Sequence, residues 1–195
     1  MMLLAYLAVA LWAPQAEGPL SNDPVALGKM HEVARCVVKD ERKIVAKLLR
    51  IDWRTVSYAD RLRENARRKG ECLGNGVLRF NRLVFAGALA EHMVESGRID
   101  ITRTAAAEGQ PIVARSPTEV MALCAVKAQP AQVSAMLGTG PGSTEERAAM
   151  RALAPTLGDC LAEGAQATLN AAGTRSVLAL AAWHIADARG AGAAK

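Results

Sequence analysis

The chain has 195 residues, 51% apolar and 22% charged, enough for one core or two small ones and unlike a disordered, collagen-like or multi-span membrane chain. Aromatic residues make up only 4%, so Ala, Val and Leu must fill the interior, which favours close-packed helices over sheets. The formal charge of +5 excludes an acidic solvating protein and permits a polyanionic partner.

Residues 1–16 carry no charged side chain, and 2–13 are almost wholly apolar. At 1.5 Å rise that stretch reaches only about 18 Å as a helix, short of a hydrocarbon core of roughly 30 Å. It reads as the apolar region of a signal peptide, cleaved after Ala16 and just before the first charge, Glu17. The mature chain is then expected in the periplasm or secreted, and not integral to the membrane.

The four cysteines carry the strongest pattern. Cys36 and Cys72 are 36 residues apart, as are Cys124 and Cys160, and the two pairs are offset by 88. At that offset Val38, Lys39, Val45, Leu49, Arg63, Ala66, Gly70, Leu73 and Gly76 also recur, making eleven identities over the ungapped 41 positions 36–76. Chance at about one in fifteen would give roughly three, so the spacing predicts an internal duplication. Five extra residues later, Arg82, Val84, Ala86 and Ala88 align with Arg175, Val177, Ala179 and Ala181.

Each copy reads as about four helices. Asp23-Pro24 and Ser116-Pro117 place an N-cap before a first-turn proline, and Ser116 with Glu119 forms a capping box. These first helices are expected to end near Lys39 and Ala128, with Asp40 and Pro130 opening short second helices. A third helix carries the second cysteine; in the second copy it opens on Ser143 and Glu146, and Pro155 is expected to split it. The last helices span about 82–96 and 175–189, stopped by Gly97 and Gly190, and 77–80 reads as a short extended piece. They are apolar all round over two turns, which predicts central burial. Between the copies, 99–103 alternates like a strand and 105–115 reads as linker, while 191–195 reads as a flexible tail. The predicted organisation is therefore a signal at 1–16, repeats at 23–97 and 116–190, and a linker at 98–115.

An even cysteine count behind an export signal favours disulfides, and four cysteines permit three connectivities. If one copy folded before the sequence doubled, each copy satisfies its own pair, giving Cys36 with Cys72 and Cys124 with Cys160. Metal and redox readings lack any Cys-x-x-Cys spacing.

No catalytic motif is present. His31, His92 and His184 read as helix-surface polar residues, His92 beside Glu91 and Glu95 and His184 near Asp187, with no converging ligand set, so neither metal nor cofactor is expected. The run Gly138-Thr139-Gly140-Pro141-Gly142-Ser143 reads as an interhelix turn, since it lacks the lysine of a phosphate loop. Charge is asymmetric: residues 24–97 hold 15 Lys and Arg against 9 Asp and Glu, whereas 98–195 hold 9 against 8. Arg42, Lys43, Lys47, Arg50, Arg54, Arg67 and Arg68 are the candidate anion-binding residues, facing an anionic lipid or glycan. Only Trp53 and Tyr58 offer stacking groups nearby, which disfavours nucleic acid.

The patterns Cys-Val-Val-Lys at 36–39, Arg-Ala-Leu-Ala-Pro-Thr-Leu-Gly-Asp-Cys-Leu at 151–161 and Gly-Pro-Gly-Ser-Thr-Glu-Glu-Arg at 140–147 resemble uncharacterised exported proteins of Gram-negative bacteria. That resemblance implies an envelope or secreted location and supplies no catalytic residue. The expectation is an all-α protein of two tandem repeats with one disulfide each. It is expected to serve as a non-enzymatic structural or interaction module, with an envelope protein, anionic lipid or glycan as partner; the alternatives are an envelope-acting hydrolase or a binder working through the basic face.

Overall fold

Capping side chains set most of the helix starts. In the computed structural model, which describes residues 22–68, Cys72 and 81–190, Asp23 accepts from the Val25 and Ala26 amides and opens α1 (Pro24–Leu49). Thr55 Oγ1 accepts from the Tyr58 amide at the start of α2 (Val56–Arg68). Asn81 caps α3 (Arg82–Ser96), Asp100 caps α4 (Ile101–Ala106) and Ser116 caps α5 (Pro117–Ala128). The short α6 (Pro130–Leu137) starts on proline without a side-chain cap, Ser143 caps α7 (Thr144–Asp159) and Asn170 caps α8 (Ala171–Ala188). Each such acceptor satisfies an amide that has no partner within its helix. The fold is all-helical, with eight helices and no strand among the described residues.

The α3 and α8 helices form the centre, as their unbroken apolarity requires; α1 covers α3 and α5 covers α8. Ala86, Leu89, Ala90 and Met93 of α3 and Leu178, Ala179, Trp183 and Ile185 of α8 are fully buried. The two helices approach closely at Gly87, where an added Cβ would lie 2.4 Å from Ser176 Cα. Two disulfides join Cys36 to Cys72 and Cys124 to Cys160, with Cα separations of 5.7 and 5.6 Å, and no cysteine is free. Such bonds point to an oxidising, non-cytoplasmic compartment. Among the described residues no single helix is long and apolar enough to cross a membrane; only the α5–α6 pair, bent by 106°, passes on length and composition.

Positions 88 apart behave alike. Glu41 breaks α1 with φ −130° and ψ 37°, and Gln129 separates α5 from α6 with φ −134° and ψ 56°. Ala34 and Ala122, Val38 and Val126, Val45 and Val133, Leu49 and Leu137, and Tyr58 and Glu146 are all buried.

Four local expectations need correction. Residues 99–103 do not form a strand: Asp100 caps the Arg103 amide, and Ile101 and Thr104, three apart, are buried on one face of α4. Pro155 does not split α7: Arg151, whose carbonyl it leaves without an amide, and Pro155 itself are both exposed, so that carbonyl is open to solvent without breaking the helix. The last helix begins at Ala171 rather than near Arg175, since Asn170 supplies a cap one turn earlier. Gly97 ends α3 without being left-handed; Arg98 takes that conformation at φ 50°, and Gly97 is small because Arg42 Nη2 would lie 2.5 Å from an added Cβ. The expected signal at 1–16, the extended piece at 77–80 and the tail at 191–195 lie outside the described residues.

The close approach at Gly87 predicts that Gly87→Ala forces α3 and α8 apart and costs about 1–3 kcal/mol. Gly28→Ala, in a helix with nothing within 4 Å of the new methyl, is expected instead to stabilise by about 0.5–1 kcal/mol. Urea denaturation of both variants checks the opposite signs.

Candidate functional site

One guanidinium organises the interior. Arg175, in the second turn of α8, is 3% exposed and meets Glu91 of α3 with two parallel bonds, Nε to Oε2 at 2.8 Å and Nη2 to Oε1 at 2.6 Å. Its Nη1 donates to Glu146 Oε1 at 3.2 Å and to the Met136 carbonyl at 3.2 Å. Nη2 also donates to the carbonyls of Leu137 at 2.7 Å and Thr139 at 2.9 Å. One guanidinium therefore bonds the negative end of α6 as well as two carboxylates. Glu146 Oε2 in turn accepts the Gly142 amide at 2.6 Å, so the glycine-rich turn at 138–142 closes around this cluster.

His31 and His92 border it. His31 Nδ1 lies 3.9 Å from Glu91 Oε1, the two imidazoles stand edge to face at 5.5 Å, and His92 Nδ1 meets Glu95 at 2.9 Å. Both histidines are buried, at 8% and 4% exposure, so the expected helix-surface setting is wrong for them. Sequence periodicity placed them on α1 and α3 but did not show that α1 lies over that side of α3. Burial, reinforced by the Arg175 charge, pushes the His31 imidazole down to about 3. Burial also pushes the Glu91 carboxyl up, against the pull of Arg175. The cluster ties α3, α6, α7 and α8 together in the interior.

The surface offers two other features. The first is an open cleft of about 560 Å³ where α5, α8, the 50–54 turn and the 110–115 segment meet. Leu123, Val177, Leu180 and Ala181 line it, with Trp53, Arg50, Arg115, Glu119, His184 and Asp187 also facing it. The expected His184–Asp187 contact does not form. His184 Nε2 donates to the Leu49 carbonyl at 3.0 Å, and Asp187 binds Arg50 through two bonds of 2.8 and 2.7 Å. Burial lowers the His184 pKa, so the ring is held neutral with its proton on Nε2.

The second feature is a row of cations along α1. Arg35, Lys39, Lys43 and Lys47 recur every four residues, all are exposed, and none has a carboxylate within ion-pair distance among the described residues. The sequence-predicted anion site divides accordingly. Lys43 and Lys47 belong to this row. Arg42 is half-buried and turned to Ser96 Oγ at 2.5 Å and the Met93 carbonyl at 3.2 Å; Arg50 is held by Asp187, and Arg54 by Asp52 at 2.7 Å. Arg67 and Arg68 lie on α2, with side chains outside the described residues.

Cys36, Cys72 and Asp40 bring their ligand-type atoms within 4.8 Å of one another, but both sulfurs are spent in the disulfide and donate no thiolate. Comparison with family models, with curated proteins and with solved structures finds no match for this chain.

Removing the guanidinium strands two buried carboxylates. Arg175→Met is expected to cost about 3–5 kcal/mol by urea denaturation, and Arg175→Lys to recover little, since an ammonium cannot span two carboxylates and three carbonyls. For His31, the folded value of about 3 lies below the ordinary 6.5, so the unfolded chain binds the extra proton between those limits. Stability therefore falls as pH drops through that window, by up to about 1.4 kcal/mol per pH unit from this ring. The upward shift of Glu91 acts in the opposite direction. Denaturation curves from pH 7 to 4 are expected to show a smaller loss in His31→Gln than in the wild type.

Proposed function

We propose that the protein is an exported, non-enzymatic interaction module of the cell envelope, built from two copies of one helical unit, whose first copy meets an anionic membrane surface. The single observation that carries this reading is the row Arg35, Lys39, Lys43 and Lys47. Like charges four residues apart repel on a helix, as Arg35 and Lys39 do before the break at Glu41 and Lys43 and Lys47 do after it, and among the described residues no carboxylate lies within ion-pair distance of them, a cost that an anionic surface relieves. The positions 88 later are Leu123, Lys127, Ala131 and Ala135, so the second copy carries only one of the four charges.

Duplication itself is supported by the matched breaks at Glu41 and Gln129, by the matched disulfide spacing and by the shared buried positions. Export to the periplasm or beyond is supported by the disulfides together with the uncharged apolar start of the sequence. A binding role is favoured over hydrolysis because His184, the histidine at the cleft, keeps its Nε2 proton on a backbone carbonyl, and Asp187 is committed to Arg50.

Sedimentation with vesicles tests the proposal. The protein is expected to bind phosphatidylglycerol vesicles at 0.1 M salt and to release them at 1 M, where the Debye length falls from about 10 to about 3 Å. Lys39→Ser/Lys43→Ser/Lys47→Ser is expected to lose that binding with stability within about 0.5 kcal/mol of wild type. Equal binding by the variant, or equal binding to phosphatidylcholine vesicles, overturns it.

A further inference from the structure

The cleft between α5 and α8 lies apart from the cation row and carries its own chemistry. Its volume of about 560 Å³ is that of a small-molecule site, and Leu123, Val177 and Leu180 give it an apolar floor beside the ring of Trp53. Three arginines crowd this end of the molecule. Arg50 is neutralised by Asp187 and Arg54 by Asp52. Arg115 is exposed and differs from both: its Nη2 donates to the Arg50 carbonyl at 3.1 Å, its charge reaches Asp52 only at longer range, and among the described residues no carboxylate lies within ion-pair distance of its guanidinium. Glu119 does not fill that role, because its Oε2 accepts the Arg115 backbone amide at the start of α5, where the helix dipole already favours a negative charge.

We infer that this cleft binds a small amphipathic monocarboxylate, with the carboxylate on the Arg115 guanidinium and the hydrocarbon along Leu123, Val177, Leu180 and Trp53. A planar guanidinium suits a carboxylate because two parallel N–H groups meet two oxygens. An amine of the same length is repelled there, and an alcohol leaves the cation without a counter-charge. The neutral His184, with Nε2 turned to Leu49, adds no second positive charge that would favour a dianion. Arg50 remains with Asp187, so one anionic group is the capacity of the site.

Titration calorimetry of the full chain with octanoate, octanol and octylamine tests this. Octanoate is expected to bind one to one, with octanol and octylamine each weaker by at least about tenfold, the scale of one charge-assisted hydrogen bond. Arg115→Gln, an exposed change, is expected to weaken octanoate about tenfold and leave octanol unchanged. Leu123→Trp, which fills the floor, is expected to abolish octanoate binding while circular dichroism shows the helices intact. The lysine-row variant is expected to bind octanoate like wild type, so this inference and the membrane reading fail separately. No saturation at millimolar octanoate, undiminished binding by Arg115→Gln, or octylamine binding as well as octanoate overturns the assignment.

Discussion

The buried guanidinium of Arg175 is the constraint on which the rest of the fold depends. It is 3% exposed, and an arginine cannot give up its proton to escape desolvation, so every neighbouring element must supply acceptors. The α3 helix supplies Glu91, α7 supplies Glu146, and the end of α6 supplies the carbonyls of Met136 and Leu137. That demand fixes how α6, α7 and the glycine-rich turn sit against the central pair of helices. Apolar contact alone would tolerate sliding between helices lined with Ala, Val and Leu, whereas a bidentate ion pair accepts one register.

The α8 helix closes two other helices by related means. Near its start Arg175 takes the carbonyl of Leu137 at the end of α6, and near its finish His184 takes the carbonyl of Leu49 at the end of α1. Leu49 and Leu137 are among the positions 88 apart that match in sequence. The chemistry used at the two places differs. A charged arginine backed by two glutamates holds one end, while a neutral imidazole followed by the exposed Arg50–Asp187 bridge holds the other. The more open arrangement lies where the segment 110–115 crosses, and the cleft is found there.

Charge separates the working surface from the scaffold. Arg42 and Arg50 hold parts of the molecule together, Arg54 braces its own turn, Arg175 orders the interior, and among the described residues Arg35, Lys39, Lys43, Lys47 and Arg115 have no carboxylate within ion-pair distance. Exposed cations without a close counter-ion retain a long-range positive field. The two disulfides hold this arrangement in a core poor in aromatic residues, each closing a loop that contributes about 4 kcal/mol in the chain-entropy account.

Interactions between residues near in sequence were legible from the sequence. Asp23, Ser116 and Ser143 cap the helices that they were expected to cap, because a side chain and an amide two or three residues on meet whatever the rest of the chain does. The pairing of Cys36 with Cys72 and of Cys124 with Cys160 followed from their repeated spacing, and the central burial of α3 and α8 from their lack of a polar face. The role of Arg175 was signalled only by a charge at the head of the long apolar run 177–183, one that also aligns with Arg82. Its partners lie 29 to 84 residues away, and no local pattern encodes that distance. For the same reason composition located the basic excess in residues 24–97 but did not separate Lys43 and Lys47, which stay exposed, from Arg42 and Arg50, which packing brings to Ser96 and Asp187. Sequence alone determined the all-helical class, the caps at Asp23, Ser116 and Ser143 and the cysteine pairs; only the tertiary structure decided which charges are spent inside the molecule, because an ion pair between distant residues is set by proximity in space.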